Sequence, residues 1–260
     1  MVRNTTFSDA TREAIDQSME LDDSVYVMAL GAPDPKGIFG TTLGLQEKYG
    51  DRRVMDMPTS ENAMTGIAIG SALSGQRPIL IHQRLDFALL SMEQIVNQAA
   101  KWHYMFSGKS SVPLVIRMII GRGWGQGPQH SQSLQSWFAH IPGLKVIMPS
   151  SPEDAKGLLI SGIRDDNPVI SLEHRWLYDI NGPVLEEPYV TPIGQAKIVR
   201  KGKDITVVAI SFMVVEAMRA ANYLKEYGVD VEVVDLRSLN PLDMSTVMKS
   251  VNKTGRLIVT

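Results

Sequence analysis

Residues 52–79 read RRVMDMPTSENAMTGIAIGSALSGQRPI. Val54–Met57 is a short strand-like piece, and Pro58 closes it. Thr59-Ser60-Glu61-Asn62 then lead into the segment Ala63–Gly75. Small residues stand at 63, 66, 68, 70, 71 and 72, which predicts a buried helix approached closely by another backbone. Gly66 and Gly70 are four apart and share a face. A mid-helix Gly costs roughly 1 kcal/mol against Ala, so close packing is the expected compensation. Pro78–Ile81 begins the next strand. A strand, a helix of this length and another strand form the unit of a parallel sheet.

The same alternation extends in both directions. Upstream, residues 6–20 predict a helix capped by Thr5 or Thr6, and VYVMAL (25–30) a buried strand. Residues 31–44 are rich in Gly and Pro and read as loop. Downstream come a long helix over 91–105 and the nearly continuous apolar run VPLVIRMII (112–120). Such a run fits a parallel strand covered on both faces. After it come a Gly-rich loop (121–128), a strand (144–148), a helix (152–164) and a strand (169–172). The stretch 179–192 holds three Pro, two Glu and one Gly and reads as a linker. A new α/β unit follows: strands at 205–210, 231–235 and 257–260, helices at 212–227 and 242–251. The expected organisation is a domain over residues 1–182, a linker over 183–194 and the start of a second domain over 195–260. That second unit, of roughly 70 residues and ending on a strand, is at the small end of domain sizes, which predicts further C-terminal sequence.

Composition excludes several chemistries. The chain has no cysteine, so it has no disulfide, thiolate nucleophile or Cys-based zinc site. That fits a reducing compartment, and a cytoplasmic location is expected. The formal net charge is −2 with scattered basic residues, which argues against nucleic acid as a partner. No stretch approaches the roughly 20 apolar residues of a membrane span, and the N-terminus lacks the apolar core of a secretory signal.

Four residues could carry chemistry. Glu61 stands where a strand passes into the small-residue helix. It is a candidate catalytic carboxylate or, equally in kind, a first-turn acid favoured by the helix dipole behind a Ser60 or Thr59 cap. His130, in GPQHSQS, is either a general acid–base or a loop-bonded histidine. His82 directly follows a buried strand, where α/β sheets place ligand contacts. Phe87 reads by itself as a core aromatic. GRGWGQG (121–127) lacks the Lys-Ser/Thr of a phosphate loop and reads as a flexible connection.

Several segments, taken in order, resemble the β subunits of thiamine-diphosphate-dependent 2-oxo acid dehydrogenases. They are residues 52–79, EQIVNQAAKWHYM (93–105), VPLVIR (112–117), QHSQSLQSWFAHIPGLKVIMPSSPEDAKGLL (129–159), IRDDNPVI (163–170) and LRSLNPLD (236–243). The resemblance implies an α/β fold: a parallel-sheet pyrimidine-binding domain followed by a transketolase C-terminal-type domain, here incomplete. It implies thiamine diphosphate as cofactor, shared with an α subunit whose Gly-Asp-Gly motif holds the diphosphate and Mg²⁺. This sequence has no Gly-Asp-Gly. An α2β2 heterotetramer, or a homodimer of this chain, and a lipoyl acyltransferase are the implied partners.

By the same resemblance, Glu61 activates the cofactor. A carboxyl on the aminopyrimidine ring nitrogen favours the imino form, whose nitrogen takes a proton from the thiazolium. Phe87 stacks on that ring, His82 lies beside it, and His130 handles the acyl group. Leu114, Gly162, Asp165 and Asn167 match a monovalent-cation (K⁺) site of some members, though Asp165–Asn167 also reads as a plain turn before Pro168. The chain departs from the family in places. Ala29-Leu30-Gly31 stands where acids are usual, IHQRLDFALL (81–90) is more polar than usual, and Trp124 occupies the Gly-rich loop. The altered substrate side admits a split transketolase-like carboligase as an alternative, as well as a non-catalytic assembly subunit.

Overall fold

The computed structural model describes residues 1–260. The chain opens with a strand, β1 (Val2–Thr6), and then helix α1 (Phe7–Leu21), whose start is set by the Thr6 hydroxyl accepting from the Asp9 amide. Strand β2 (Val25–Ala29), helix α2 (Leu45–Tyr49), strand β3 (Val54–Asp56), helix α3 (Glu61–Leu73) and strand β4 (Arg77–His82) follow. Next come α4 (Leu85–Ala88), α5 (Ala100–Met105), β5 (Val115–Ile120), α6 (Gln135–His140), β6 (Lys145–Ile147), α7 (Pro152–Arg164), β7 (Val169–His174) and β8 (Asn181–Leu185). The remainder is β9 (Lys197–Arg200), β10 (Ile205–Ala209), α8 (Phe212–Lys225), β11 (Val231–Asp235), β12 (Ser238–Asn240), α9 (Met244–Thr254) and β13 (Leu257–Val259).

The main sheet has seven strands in the order β12-β6-β7-β5-β4-β2-β3, parallel except for the edge pair β12–β6. Its strands are apolar on both faces because helices cover both, the pattern read from VPLVIRMII. In β2, Val25, Val27 and Ala29 face a core shared with α1 and α7, while Tyr26 and Met28 face a core shared with α3 and α5. That is the period-2 alternation of a strand written with apolar residues in both registers. A second sheet, β13-β10-β11-β9, carries α8 on one face and α9 on the other. β12 leaves that unit to pair with β6, and Arg237 beside it forms a 2.7 Å ion pair with the buried Asp154 of α7.

The structure differs from the reading of the sequence in identifiable places. Residues 181–185, read as linker, form β8, paired antiparallel with β1 along its whole length. Neither strand alternates cleanly, so neither is visible without its partner. The long helix expected over 91–105 is instead a π-helical run, Gln94–Ala99, continuing into α5. The apolar run at 112–120 becomes strand only from Val115, after Pro113, which has no amide to give a ladder. Finally, α3 is only half covered: Asn62, Ala63, Ile67 and Gly70 are exposed. A Cβ on Gly70 would meet nothing within 4 Å. The close backbone approach expected from its small residues is not made within this chain.

A cleft beside the N-terminus of α3

Glu61 is the first residue of α3, held where β3 ends at Asp56 and Pro58 turns the chain. Ser60 takes the capping position but its side chain makes no capping bond. The Glu61 carboxylate therefore sits in a first turn with free amides, half-buried and open to a cleft of about 160 Å³. Leu30, Thr59, Glu61, Met64, Ile81, His82, Gln83 and Phe87 line that cleft. Leu30 and His82 lie at the C-terminal ends of β2 and β4, and ligands bind outside the carboxyl ends of parallel strands. Phe87, on α4, is 38% exposed, so it is a wall of the cleft and not the core aromatic its sequence context suggests.

His130 packs edge-on against Phe87, with ring centroids 5.1 Å apart and planes at 82°. Its short 3₁₀ turn, Pro128–His130, is anchored by Asp86, whose carboxylate accepts from the Gln132 amide at 3.2 Å and from the Gln132 side chain at 2.9 Å. The structure thus brings Glu61, His82, Phe87 and His130 to one place from four separate segments. Gln83 ties the cleft to the loop after β2 by donating to the Leu30 carbonyl at 2.8 Å. Sequence reasoning missed Asp86 and Gln83 as positioning groups, because their partners are distant in the chain.

Two polar atoms beside this cleft lack partners. His82 is 4% exposed and its Nε2 has none; His130 Nδ1 is also buried and unpaired. Buried polar groups are normally satisfied, so orphaned ones at a cleft point to a ligand that supplies the missing bond. The donor set fits a flat, nitrogen-containing ring: one carboxylate, one neutral imidazole, one aromatic face and aliphatic walls. No group of three or more His, Asp or Glu side chains converges to hold a metal ion. The fit is to the aminopyrimidine end of thiamine diphosphate.

Burial pushes His82 down to about 4 from an ordinary 6.5. The folded state therefore resists a proton that the unfolded chain accepts. The stability this neutral imidazole contributes is full above pH 6.5 and is lost as pH falls from 6.5 towards 4. His174, also depressed to about 4, first by burial and then by the charges of Arg122 and Arg84, adds a contribution of the same sign. Unfolding free energy measured by denaturant across that window should rise with pH. His82→Asn should flatten the rise without abolishing it, and an unchanged slope would assign it to other groups.

Leu114, Gly162, Asp165 and Asn167 lie together near the start of β7, and the first three have oxygens that accept hydrogen bonds within the chain. The Leu114 carbonyl accepts from the Val169 amide at 2.9 Å, and the Gly162 carbonyl from the Asp165 amide at 3.2 Å. Arg77 donates to the Asp165 carbonyl at 3.1 Å. The Asp165 carboxylate pairs with Lys145 and accepts from the Asn167 amide at 2.9 Å. Two protein cations thus compensate the charge at this turn. The Gly-rich loop is not a loose connection. Gly121 and Gly123 have φ of +110° and +105°, and a Cβ on either would lie 2.9 Å from the ring of His174 or Trp176 respectively. Those contacts close the loop onto β7, and His174 in turn stacks on Phe212 at 4.9 Å.

Models of two domain families match the chain in order: the transketolase pyrimidine-binding domain over residues 3–180 and the transketolase C-terminal domain over residues 194–260. Acetoin:2,6-dichlorophenolindophenol oxidoreductase subunit beta of Cupriavidus necator is 48% identical, covering 100% of this chain and 79% of that protein. The chain belongs to the β-subunit family of the thiamine-diphosphate-dependent 2-oxo acid dehydrogenases. Other members of the family are similarly close. Pyruvate dehydrogenase E1 component subunit beta-2, mitochondrial, of Oryza sativa subsp. japonica is 44% identical over 98% of this chain and 69% of its own. Pyruvate dehydrogenase E1 component subunit beta of Rickettsia felis is 43% identical over 98% and 78%. A solved structure described as a split gene transketolase, inactive beta4 tetramer, superposes with a TM-score of 0.79 at 20% identity, covering 98% of this chain and 78% of that one. At that identity it speaks for the fold of this family alone.

Proposed function

We propose that this chain is the β subunit of a thiamine-diphosphate-dependent enzyme that decarboxylates a 2-oxo acid and transfers the remaining acyl unit. The observation that carries the reading is the convergence of Glu61, His82 and Phe87 on one cleft at the carboxyl ends of β2 and β4, with His130 packed against the Phe87 ring. When bound, thiamine diphosphate supplies the carbon nucleophile that adds to the 2-oxo acid and stores the electron pair released with CO₂. The chain's own residues do the rest. The Glu61 carboxyl shares a proton with the ring nitrogen. Phe87 offers a rigid apolar face that sets the ring's plane. His82, neutral in this setting, satisfies its orphaned Nε2 on the ring's polar edge. Leu30, Met64 and Ile81 keep water from that edge. His130, resting on the Phe87 ring with an unpaired Nδ1, is the residue that handles the acyl group.

Half the site lies elsewhere. Glu61 is only half-buried and the flanking face of α3 is exposed. In this reading an α subunit carrying a Gly-Asp-Gly motif covers them and holds the diphosphate and Mg²⁺, in an α2β2 assembly. The chain divides, on the same reading, into the pyrimidine-binding unit over residues 1–182, a connector over 183–194 and a transketolase C-terminal-type unit from 195. The separate sheets and the two family matches support that division. Reconstitution tests the proposal. With the α partner, thiamine diphosphate and Mg²⁺, the chain should release CO₂ from a 2-oxo acid, and without the partner turnover should be at background. Turnover by this chain alone, or none in the reconstituted complex, would refute it.

A further inference from the structure

A second, larger cleft of about 740 Å³ adjoins the first, and Gln83 lines both. Its walls come from the loop after β2 (Asp34, Lys36, Phe39), the Gly-rich loop (Trp124, Gln126) and the turn after β7 (Arg175, Trp176, Tyr178). Arg175 is held in an unusual way. Its guanidinium lies over the Phe39 ring at 4.0 Å and over the Trp124 ring at 4.7 Å. Stacking occupies the faces of a guanidinium and leaves its edge, where the N–H groups lie, free to bond. Neither Asp34 nor Asp179, the two acids of this cleft, forms an ion pair with it within 4 Å; both are exposed at the rim.

Behind Trp124 lies a second guanidinium, that of Arg84, 5.1 Å from the same ring. Arg84 is 3% exposed and donates to neutral acceptors, the Gln126 side chain at 2.6 Å and the Gly121 carbonyl at 3.5 Å. Burial, and next the charge of Arg175, depress its pKa. Arg84 therefore feels the charge of Arg175, opposed by the weaker pull of Asp86, and although Asp179 attracts Arg175 no carboxylate lies within ion-pair distance of either arginine. Lys36 adds a third cation at the mouth, also unpaired. Like charges held together in a partly desolvated cleft are unfavourable unless an anion joins them. An edge-exposed guanidinium is shaped to bind a carboxylate or a phosphate with two parallel hydrogen bonds.

We propose that this Arg175–Trp124–Lys36 cleft binds an anionic group of a small-molecule substrate, a phosphate or carboxylate remote from the carbon that reacts. The assignment of that molecule as substrate rests on reading the adjoining cleft as the cofactor site; the binding of the anion does not. The enzyme's substrate is then a phosphorylated or doubly acidic compound, with its reacting end past Gln83 towards Glu61 and His130.

Trp124 and Trp176 report on the cleft, so intrinsic fluorescence of the full chain is the direct test. Inorganic phosphate and succinate are titrated separately, at constant ionic strength set by chloride. Saturable quenching by one of them, weakened roughly 10- to 100-fold in Arg175→Gln, is the expected result, because a bidentate charge-assisted pair is worth about that much. Which probe binds tells phosphate from carboxylate. Lys36→Ala, at an exposed position that cannot compromise folding, should weaken the same response by several-fold. No saturable response to either probe, or an equal response in wild type and both variants, overturns the proposal. In the reconstituted enzyme, Arg175→Gln should raise KM for an anion-bearing substrate while leaving kcat within a few-fold. Should the anion bind to the isolated chain but the reconstituted enzyme be inactive, the functional assignment fails while the site stands.

Discussion

Glu61→Gln should lower turnover of the reconstituted enzyme by at least about 100-fold and leave the fold intact. Proton transfer by a positioned side chain contributes roughly 10²–10⁴-fold, and an amide is too weak a base to share the ring's proton. The loss should fall on kcat, with cofactor affinity little changed, because Phe87 and the aliphatic walls hold the ring. Glu61 is half-buried and makes no side-chain bond within the chain, so the isosteric change should alter stability by less than about 0.5 kcal/mol. Steady-state rates beside a thermal melt of the same preparations separate the two effects. Near-normal turnover would remove Glu61 from the chemistry and with it the reason for reading this cleft as the cofactor site.

The second large effect is on stability. Arg117 on β5 and Glu173 on β7 are 0% and 2% exposed, and point to the face of the sheet shared with α1 and α7. Their contact is two-pronged, Nε to Oε1 at 2.7 Å and Nη2 to Oε2 at 2.6 Å. Tyr178 donates to the same carboxylate at 2.8 Å and Arg117 donates to the Thr41 hydroxyl at 3.3 Å. Burial by itself pulls the guanidinium's pKa down, but the attraction of Glu173 more than offsets it. Glu173→Gln strands a buried cation, which should cost about 3–5 kcal/mol. For a chain of this size that lowers Tm by on the order of 10 °C. Replacing both residues, as in Arg117→Met with Glu173→Leu, should cost less than the single change, because no charge is left unpaired. A Glu173→Gln protein within about 1 kcal/mol of wild type would show that water or rearrangement reaches the guanidinium. Tyr178 also forms part of the floor of the larger cleft, so the single variant should weaken anion binding there as well.

Much of this was legible in the chain. The alternation of apolar runs with helix-length segments predicts the parallel sheet and both covered faces, and nearly all of its strands lie where the apolar runs are. The motif 52–79 places Glu61 at a strand-to-helix junction, and the structure puts it there. The misses share a cause. β1, β8, β9 and β12 are short and paired mainly at sheet edges, and their residues carry too little pattern to announce a strand. The reading of α3 as fully buried failed because small residues signal a close approach without naming what approaches. Arg117 interrupts an apolar run, and only Glu173 on the neighbouring strand β7 explains it. His174 looked isolated in sequence because Phe212 lies 38 residues further on, in another sheet's helix.

The sequence by itself determined the fold class, the position of the candidate carboxylate and the absence of any thiol chemistry, because those depend on local periodicity and residue type. Only the tertiary structure decided that Glu61, His82 and Phe87 share one cleft with His130 packed against Phe87, and that Arg84 and Arg175 flank Trp124 with no acid paired to either. Such convergence is set by which strand lies beside which and by the loops at their carboxyl ends. Contacts of that kind join residues tens of positions apart, and no local pattern encodes them.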